Sequence, residues 1–493
     1  MNRRDPDLIL VIDEGTTSTR ALAFDRSGTI VASAVRAITQ HYPASGWVEH
    51  DADELWSLSR ACADEVATTV GPDRIACLGV TNQRETVVFW DRLTGAALAP
   101  AIVWQDRRGA ALCDQWRADG LVPAIQATTG LVLDPYFSAS KIVWALANWP
   151  SVADAAATGA LMLGTVDAWL LFKLTGGAVH STDATNASRT LLMDLATCAW
   201  DADLIARFGV PATALPTITD CAGALGFATI AGRQVPIAGC AGDQHAAAIG
   251  QACLSPGMVK ATFGTGTFVL AHAGAAPPIS SHRLLATLAW RLDGVAAYAV
   301  EGSVFTAGAA VQWLRDGIGV IASAPETEVL ARSVPDSGGV VVVPAFTGMG
   351  APHWRADVRG IITGLTAATT RAHLARATLE AVVQQTADLL DALAADGVTT
   401  TCLRVDGGMV ANDWLCQHLA DVLGLPVERP RVIETTALGA AMLAGVGTGW
   451  FADLAEASEM HAIDRVFTPA MAPDTRAAAR SRWAHAVRQA LTT

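Results

Sequence analysis

The sequence predicts an α/β protein built as two domains that face each other across a cleft. Three observations lead there. At 493 residues the chain is too long for one compact domain. Strand-like and helix-like segments alternate through its second half. A strand–turn–strand pattern near the start also returns near the middle, as a duplicated domain would show.

The elements follow in order. Leu8 to Ile12 is an apolar run that reads as a buried strand; it stops at DEGTTS, and a second strand runs from Ala21 to Phe24. After Ser27-Gly28 a third strand covers Ile30 to Val35. The echo is Met258 to Phe263, a turn at Gly264-Thr265-Gly266-Thr267, and a strand from Phe268 to His272. Helices are expected over Thr306 to Gly317 and over Thr370 to Ala395, where Leu379, Val382, Val383, Thr386, Leu390 and Leu393 make a stripe. Between them Gly338 to Val343 reads as a buried strand. A short strand at Leu403 to Val405 ends in Asp406-Gly407-Gly408, and a helix follows from Asn412 or Asp413 to Leu423. The border between the copies falls within Pro236 to Gly250, giving domains of 1–246 and 247–493.

Composition excludes several classes. Apolar residues make up 51% and charged residues 16%, a globular balance with material for large cores. The net charge of -13 gives no basic face for nucleic acid. Nine scattered cysteines, with no C-x-x-C pair, read as free thiols in a reducing compartment. The N-terminal MNRRDPDLIL lacks the apolar core of a leader peptide, and no apolar run approaches the length of a spanning helix. A cytoplasmic protein without membrane insertion is expected.

Four motifs carry chemistry. DEGTTSTR, Asp13 to Arg20, places Gly15 and the hydroxyls of Thr16, Thr17 and Ser18 in a turn able to cradle phosphate; Arg20 adds charge, and Asp13 at a strand end suits a hydrated Mg²⁺. Alone it reads equally as a polar hairpin; with its echo at Thr265 it makes half of a nucleotide clamp. Neither the Walker phosphate loop nor the protein-kinase motif set is present. In TNQRET, Arg84 and Glu85 stand at a strand mouth and offer donors and acceptors to a polyhydroxy ligand; a surface ion pair is the plainer reading. In AGDQH, Asp243 can take the proton of an attacking hydroxyl and Gln244 can bond a second one, although an acidic helix cap would look the same. In VDGG, Gly408 with Asn412 offers backbone to a flat ring or phosphates, or is simply a βα turn. Trp104, Tyr136 and Phe268 can wall the apolar edge of a polyol, or be ordinary core.

With these residues in view the chain resembles the FGGY carbohydrate kinases, and among them the members that phosphorylate glycerol. The likeness runs nearly end to end, through GWVEHD (46–51), TNQRET (81–86), IVWQDRR (102–108), DPYFSASK (134–141), TDATNASRT (182–190), FGTGTF (263–268), EGSVFTAGAAVQWLRD (301–316), PAFTGMGAPHW (344–354) and RVDGGMVAND (404–413). It implies two actin-like, ribonuclease-H-type domains and transfer from ATP to glycerol with Mg²⁺. It places Arg84, Glu85, Tyr136, Asp243 and Gln244 on the polyol, with Asp243 as general base and Trp104 and Phe268 as the apolar wall. Thr16, Thr17, Ser18, Arg20 and Thr265 fall on the phosphates. Gly308, Gln312, Gly408 and Asn412 fall on the nucleoside. Asp13, through water, and Asp243 lie near the metal. Glu14 stands where such kinases usually have Gln, adding charge beside the phosphate site, and His245 replaces a second Gln beside the base. Another small polyol or triose (erythritol, dihydroxyacetone, glyceraldehyde) is the alternative substrate. Assembly into a homodimer or tetramer is expected.

Overall fold

This computed structural model describes residues 6–355 and 357–492; residues 1–5, part of the stretch read above as lacking a leader, lie outside the described residues. Leu8–Glu14 (β1), Ser18–Phe24 (β2) and Ile30–Ala37 (β3) form an antiparallel meander. Every residue of β1 is buried, as a near-continuous apolar run at the centre of a sheet must be. Helix α1 (Ala52–Val70) follows, started by Asp51, whose carboxylate accepts from the amides of Asp53 and Glu54. Ile75–Asn82 (β4) then pairs in parallel with β1. Much later the hairpin of Ala222–Ile230 (β5) and Arg233–Gly242 (β6) lays β6 parallel to β4. The sheet order is β5-β6-β4-β1-β2-β3.

Helix α2 (Asp243–Gly250) leads into the second sheet. Met258–Phe263 (β7) and Thr267–Gly274 (β8) form its first hairpin; Leu285–Leu292 (β9) and Val295–Val304 (β10) form the next, with β10 against β8. After helices α3 (Gly308–Gln312) and α4 (Arg371–Ala395), Cys402–Asp406 (β11) pairs in parallel with β7. Helix α5 (Asp413–Leu423) precedes Val427–Pro430 (β12), parallel to β11. Helix α6 (Thr435–Gly447) precedes the edge strand Ile463–Phe467 (β13). The order β9-β10-β8-β7-β11-β12-β13 repeats the first sheet's pairings, two antiparallel and then two parallel, with β9 added. The strand–turn–strand echo in the sequence is therefore a repeated sheet.

Local chemistry explains the differences from the expected elements. The helix expected over Thr306 to Gly317 begins only at Gly308, because the amides of Ala307 and Gly308 bond back to the turn at Thr265 and Gly264. Beyond Gln312 it opens into a wider turn over Trp313–Gly317. The strand expected from Gly338 is only Val341–Val343. Unforeseen was a separate four-stranded sheet of Glu49–His50, Ala101–Ile102, Val87–Asp91 and Leu161–Thr165 on the first half.

Each sheet backs onto its own apolar core. Helix α6, although late in the chain, packs on the first sheet, where its Leu438–Ala444 segment meets Ile9, Val11, Leu22 and Phe24. It crosses α2 at glycine contact: a Cβ on Gly439 would stand 1.8 Å from the Ala246 carbonyl oxygen, and one on Gly250 2.0 Å from that of Thr435. All nine cysteines are unpaired. Among the described residues no helix is long and apolar enough to cross a membrane.

Candidate active site

The parallel strands of both sheets end in register. Asp13 lies opposite Thr81 and Thr81 opposite Ala241; in the second sheet Thr262 lies opposite Asp406. Ligands of open α/β sheets gather outside such carboxyl ends, and Asp13, Arg84, Asp243 and Thr265 lie at or just past the ends of β1, β4, β6 and β7, whereas Gln312 closes α3 and Asn412 caps α5.

The first turn is closed by the Gly15 amide donating to the Ser18 carbonyl at 3.0 Å. Gln83 Nε2 to the Gly15 carbonyl (2.9 Å) and Gln40 Nε2 to the Thr16 carbonyl (2.8 Å) brace it, leaving Thr17 exposed. Across β1 and β2, Arg20 pairs with Asp13 at 3.0 Å and also holds Glu434. Burial pushes the Asp13 carboxyl up to about 6; Arg20 pulls it down, and the neighbouring carboxylates of Glu434 and Asp243 push it up again. Asp243 is therefore within electrostatic reach of the first turn.

The second turn is set by backbone. Gly264 N–H donates to the Gly266 carbonyl (2.9 Å), and Ala307 and Ala309 donate to that of Thr265 (2.9 and 3.0 Å), which keeps Thr265 exposed at the tip. Gly308, at the start of α3, lies against this turn and against Met409, next to exposed Gly408. Asn412 spends its Oδ1 capping α5, by accepting from the Leu415 amide at 2.9 Å, and its Nδ2 reaches Thr327 at 3.5 Å. Gln312 is exposed at the end of α3. The two turns are joined through Trp104. Its Nε1 donates to Thr16 Oγ1 at 2.9 Å, and its ring meets Phe268 of β8 edge-on at 6.3 Å between centroids. Tyr136 stands edge-on to the same ring at 5.6 Å.

Beneath this wall lies a buried charge network. Arg84 sends Nε to Asp243 Oδ1 (3.1 Å) and its two terminal nitrogens to Glu301 (2.5 and 3.2 Å). Arg189 bridges Glu85 (2.7 Å) and Glu301 (3.0 Å). Burial works to raise the Glu301 carboxyl, but Arg189 and Arg84 outweigh it and hold the group at about 2. Glu85 adopts φ 61°, a left-handed conformation costly for a residue with a side chain, typical of functional sites. Ser138 Oγ donates to its carbonyl at 3.0 Å and secures that geometry. Arg189 Nε donates to Glu85 Oε1, and among the described residues none donates to Oε2. Asp243 is the first residue of α2, not its cap, which is Gly242. Its side chain is 31% exposed and accepts from the Gln244 amide at 2.7 Å.

Sequence reasoning missed Arg189, Glu301, Lys260 and Asp406, all buried here. The available signal was a lone charge inside an apolar strand: Lys260 in MVKATF and Glu301 in AYAVEGSV. The reading of Glu14 is corrected. Alternation along β1 turns it away from Asp13, fully buried onto Ser59, whose hydroxyl it accepts from. Burial raises its carboxyl to about 8, so it is neutral at pH 7 and adds no charge beside the phosphate turn. His245 is likewise fully buried, with Nε2 against Thr287 Oγ1 at 3.3 Å; burial, then the nearby cations Arg84, Arg189 and Lys260, hold it well below its usual pKa and neutral.

Comparison with known proteins matches both halves of the chain to one family. A model of the FGGY family of carbohydrate kinases, N-terminal domain, matches residues 8–250, and one of its C-terminal domain matches residues 259–448. A glycerol kinase of Rhodospirillum centenum is 53% identical over 485 residues, 98% of this chain and 97% of that protein. One from Rhodospirillum rubrum is 53% identical over 98% of each chain. The crystal structure of Plasmodium falciparum glycerol kinase with ADP superposes with a TM-score of 0.93 at 36% identity, covering 99% of each chain.

Proposed function

The chain belongs to the FGGY family of carbohydrate kinases, and we infer that it is an ATP-dependent phosphotransferase acting on glycerol, with sn-glycerol 3-phosphate and ADP as products. One observation supports the residue assignment: the partly exposed Asp243 carboxylate, at the head of α2, pairs with Arg84 Nε at 3.1 Å.

Glycerol is held by Arg84, Glu85, Tyr136 and Gln244, with its CH edge on Trp104 and Phe268. The attacking terminal hydroxyl donates to Asp243, which orients it and takes its proton as the bond to phosphorus forms. Positioning of this kind supplies much of the rate in phosphoryl transfer, where the base has little covalent work to do. The triphosphate spans Thr16, Thr17, Ser18 and Arg20 on one side and Thr265 on the other; the nucleoside lies along Gly308, Gln312, Gly408 and Asn412.

The donor set around Asp13 suits a hydrated Mg²⁺. Two carboxylates, Asp13 and Glu434, share the single guanidinium of Arg20, and the Asp243 carboxylate adds to the negative field that raises the Asp13 carboxyl, an excess of hard oxygen ligands. Asp13 would hold the ion through water, and Asp243 would border it. Bound with ATP, it would screen charge on the transferring phosphoryl group. We place the border of the substrate-side and nucleotide-side lobes at 246/247, propose a cytoplasmic location, and propose that the chain assembles as a homodimer or tetramer.

The test is ADP release by the purified protein against glycerol, erythritol, dihydroxyacetone and glyceraldehyde at equal concentrations. Glycerol should give the highest kcat/KM, and ADP release should depend on it. A clear preference for another acceptor would reassign the substrate, and release indifferent to any acceptor would overturn the assignment.

A further inference from the structure

Lys260 is a buried cation that the phosphoryl-transfer scheme leaves unused. It sits in β7, fully buried, with its Nζ bonded to Gln244 Oε1 and to Thr262 Oγ1, the latter at 2.8 Å. Burial lowers its pKa, while Asp406, Asp243 and Glu301 around it favour the charged form. An ammonium has three N–H donors and no lone pair. The atom of Gln244 that faces it must therefore be the carbonyl oxygen, which settles an amide orientation otherwise left open. Among the described residues Gln244 Nε2 bonds to no acceptor, so the donor end of the amide is what remains for the cleft.

We propose that Lys260 is a positioning residue that locks the Gln244 amide with its N–H₂ toward the substrate, so that this corner of the pocket accepts only a substituent able to receive a hydrogen bond. A hydroxyl satisfies it. An ammonium at the same place, donor only, is rejected although it is of similar size. Selectivity thus comes from a residue that never touches the substrate. The proposal rests on the reading of Gln244 as a polyol contact, and its test separates the two.

The experiment measures kcat/KM at pH 7.5 for glycerol, 3-amino-1,2-propanediol and 2-amino-1,3-propanediol, together with the KM for ATP, in the wild type and in K260M, K260R and Q244E. In the wild type at least one aminodiol should be disfavoured against glycerol by about 100-fold, the scale of a lost hydrogen bond near charge. K260M frees the amide to turn and should narrow that ratio by about tenfold while the KM for ATP stays within about twofold. K260R keeps a donor on Gln244 and should keep the ratio. Q244E presents an acceptor-only oxygen to the cleft and should narrow the ratio further, which keeps the idea testable if K260M folds poorly. Parallel losses on all three substrates, with ratios unchanged in K260M and Q244E, would reduce Lys260 to a structural role and overturn the proposal. A wild type that releases no ADP with glycerol would overturn the functional reading itself.

Discussion

Arg84 and Glu301 meet end-on through two hydrogen bonds, from Nη1 and Nη2 at 2.5 and 3.2 Å, with both side chains buried. They come from the two different halves of the chain, so the pair fastens the end of β4, where we propose the polyol binds, to strand β10 of the other half. Glu301 also holds Arg189, and one carboxylate thereby compensates two guanidiniums. Glu301→Ala leaves Asp243 with Arg84 and Glu85 with Arg189, but strips three buried guanidinium N–H groups of their acceptor, and should cost about 3 kcal/mol of stability. Glu301→Gln keeps the shape and loses the charge; it should raise the KM for glycerol more than the KM for ATP. Urea unfolding and steady-state kinetics read the two effects. Equal stability of wild type and Glu301→Ala would contradict the network.

Asp243→Asn retains a hydrogen-bonding side chain at the head of α2 but cannot take a proton. Its kcat should fall by about 10²–10⁴, the range of a lost general base, with ATP binding near wild type. The check is single-turnover kinetics beside ATP titration by calorimetry. Turnover within a few-fold of wild type would remove Asp243 from the role of base.

The turns and strand ends of this site were legible because each is local. Strand, Gly-Thr turn and strand are written in consecutive residues, and the repeat of that pattern revealed the duplicated sheet. Asp243 and Arg84 were legible for a similar reason, as charges just past apolar strands. Arg189 and Glu301 were not, since each looks like an isolated charge until the fold places residues 84, 189 and 301 together. The packing of α6 on the first sheet was hidden too; its run of small apolar residues suits any buried helix, and only tertiary contact decides which sheet it covers. Glu14 was misread because sequence shows a charge, whereas burial against Ser59 shows an acid.

That acid carries a pH signature. Glu14 ionises near 4.5 when unfolded and at about 8 when folded. Its contribution to stability is thus fully present below about 4.5 and is lost as the pH climbs to about 8. Glu14→Gln removes the titration. The variant should gain on the wild type between about pH 5 and about pH 8, by about 4 kcal/mol at the upper end, and the difference should level off above that. At pH 7 its KM for ATP should match the wild type within about twofold, because no charge is lost. Urea midpoints across the pH range test the first statement; a difference flat in pH would mean that Glu14 is ionised in the folded protein.

The crossing of α2 and α6 sets where Asp243 stands, since Asp243 opens α2 and Thr435, which opens α6, donates its hydroxyl to Asp406. No side chain fits between the helices. A methyl on Gly439 would lie 1.8 Å from the Ala246 carbonyl oxygen and 2.8 Å from the Gly250 nitrogen, and both are backbone atoms that cannot turn aside. Gly439→Ala must therefore push the helices apart, and with them Asp243, the base we propose, from the Gly15 and Thr265 turns. We expect a loss of at least about 4 kcal/mol, the scale of severe core disruption, and a fall in kcat in whatever fraction stays folded. Gly449, just past the end of α6, is the control. It adopts a left-handed conformation, with φ 74°, but a methyl placed on it would meet nothing within 4 Å. Gly449→Ala should cost only about 1 kcal/mol and leave kcat unchanged. Comparable losses at the two glycines would show that close helix contact is not what Gly439 preserves.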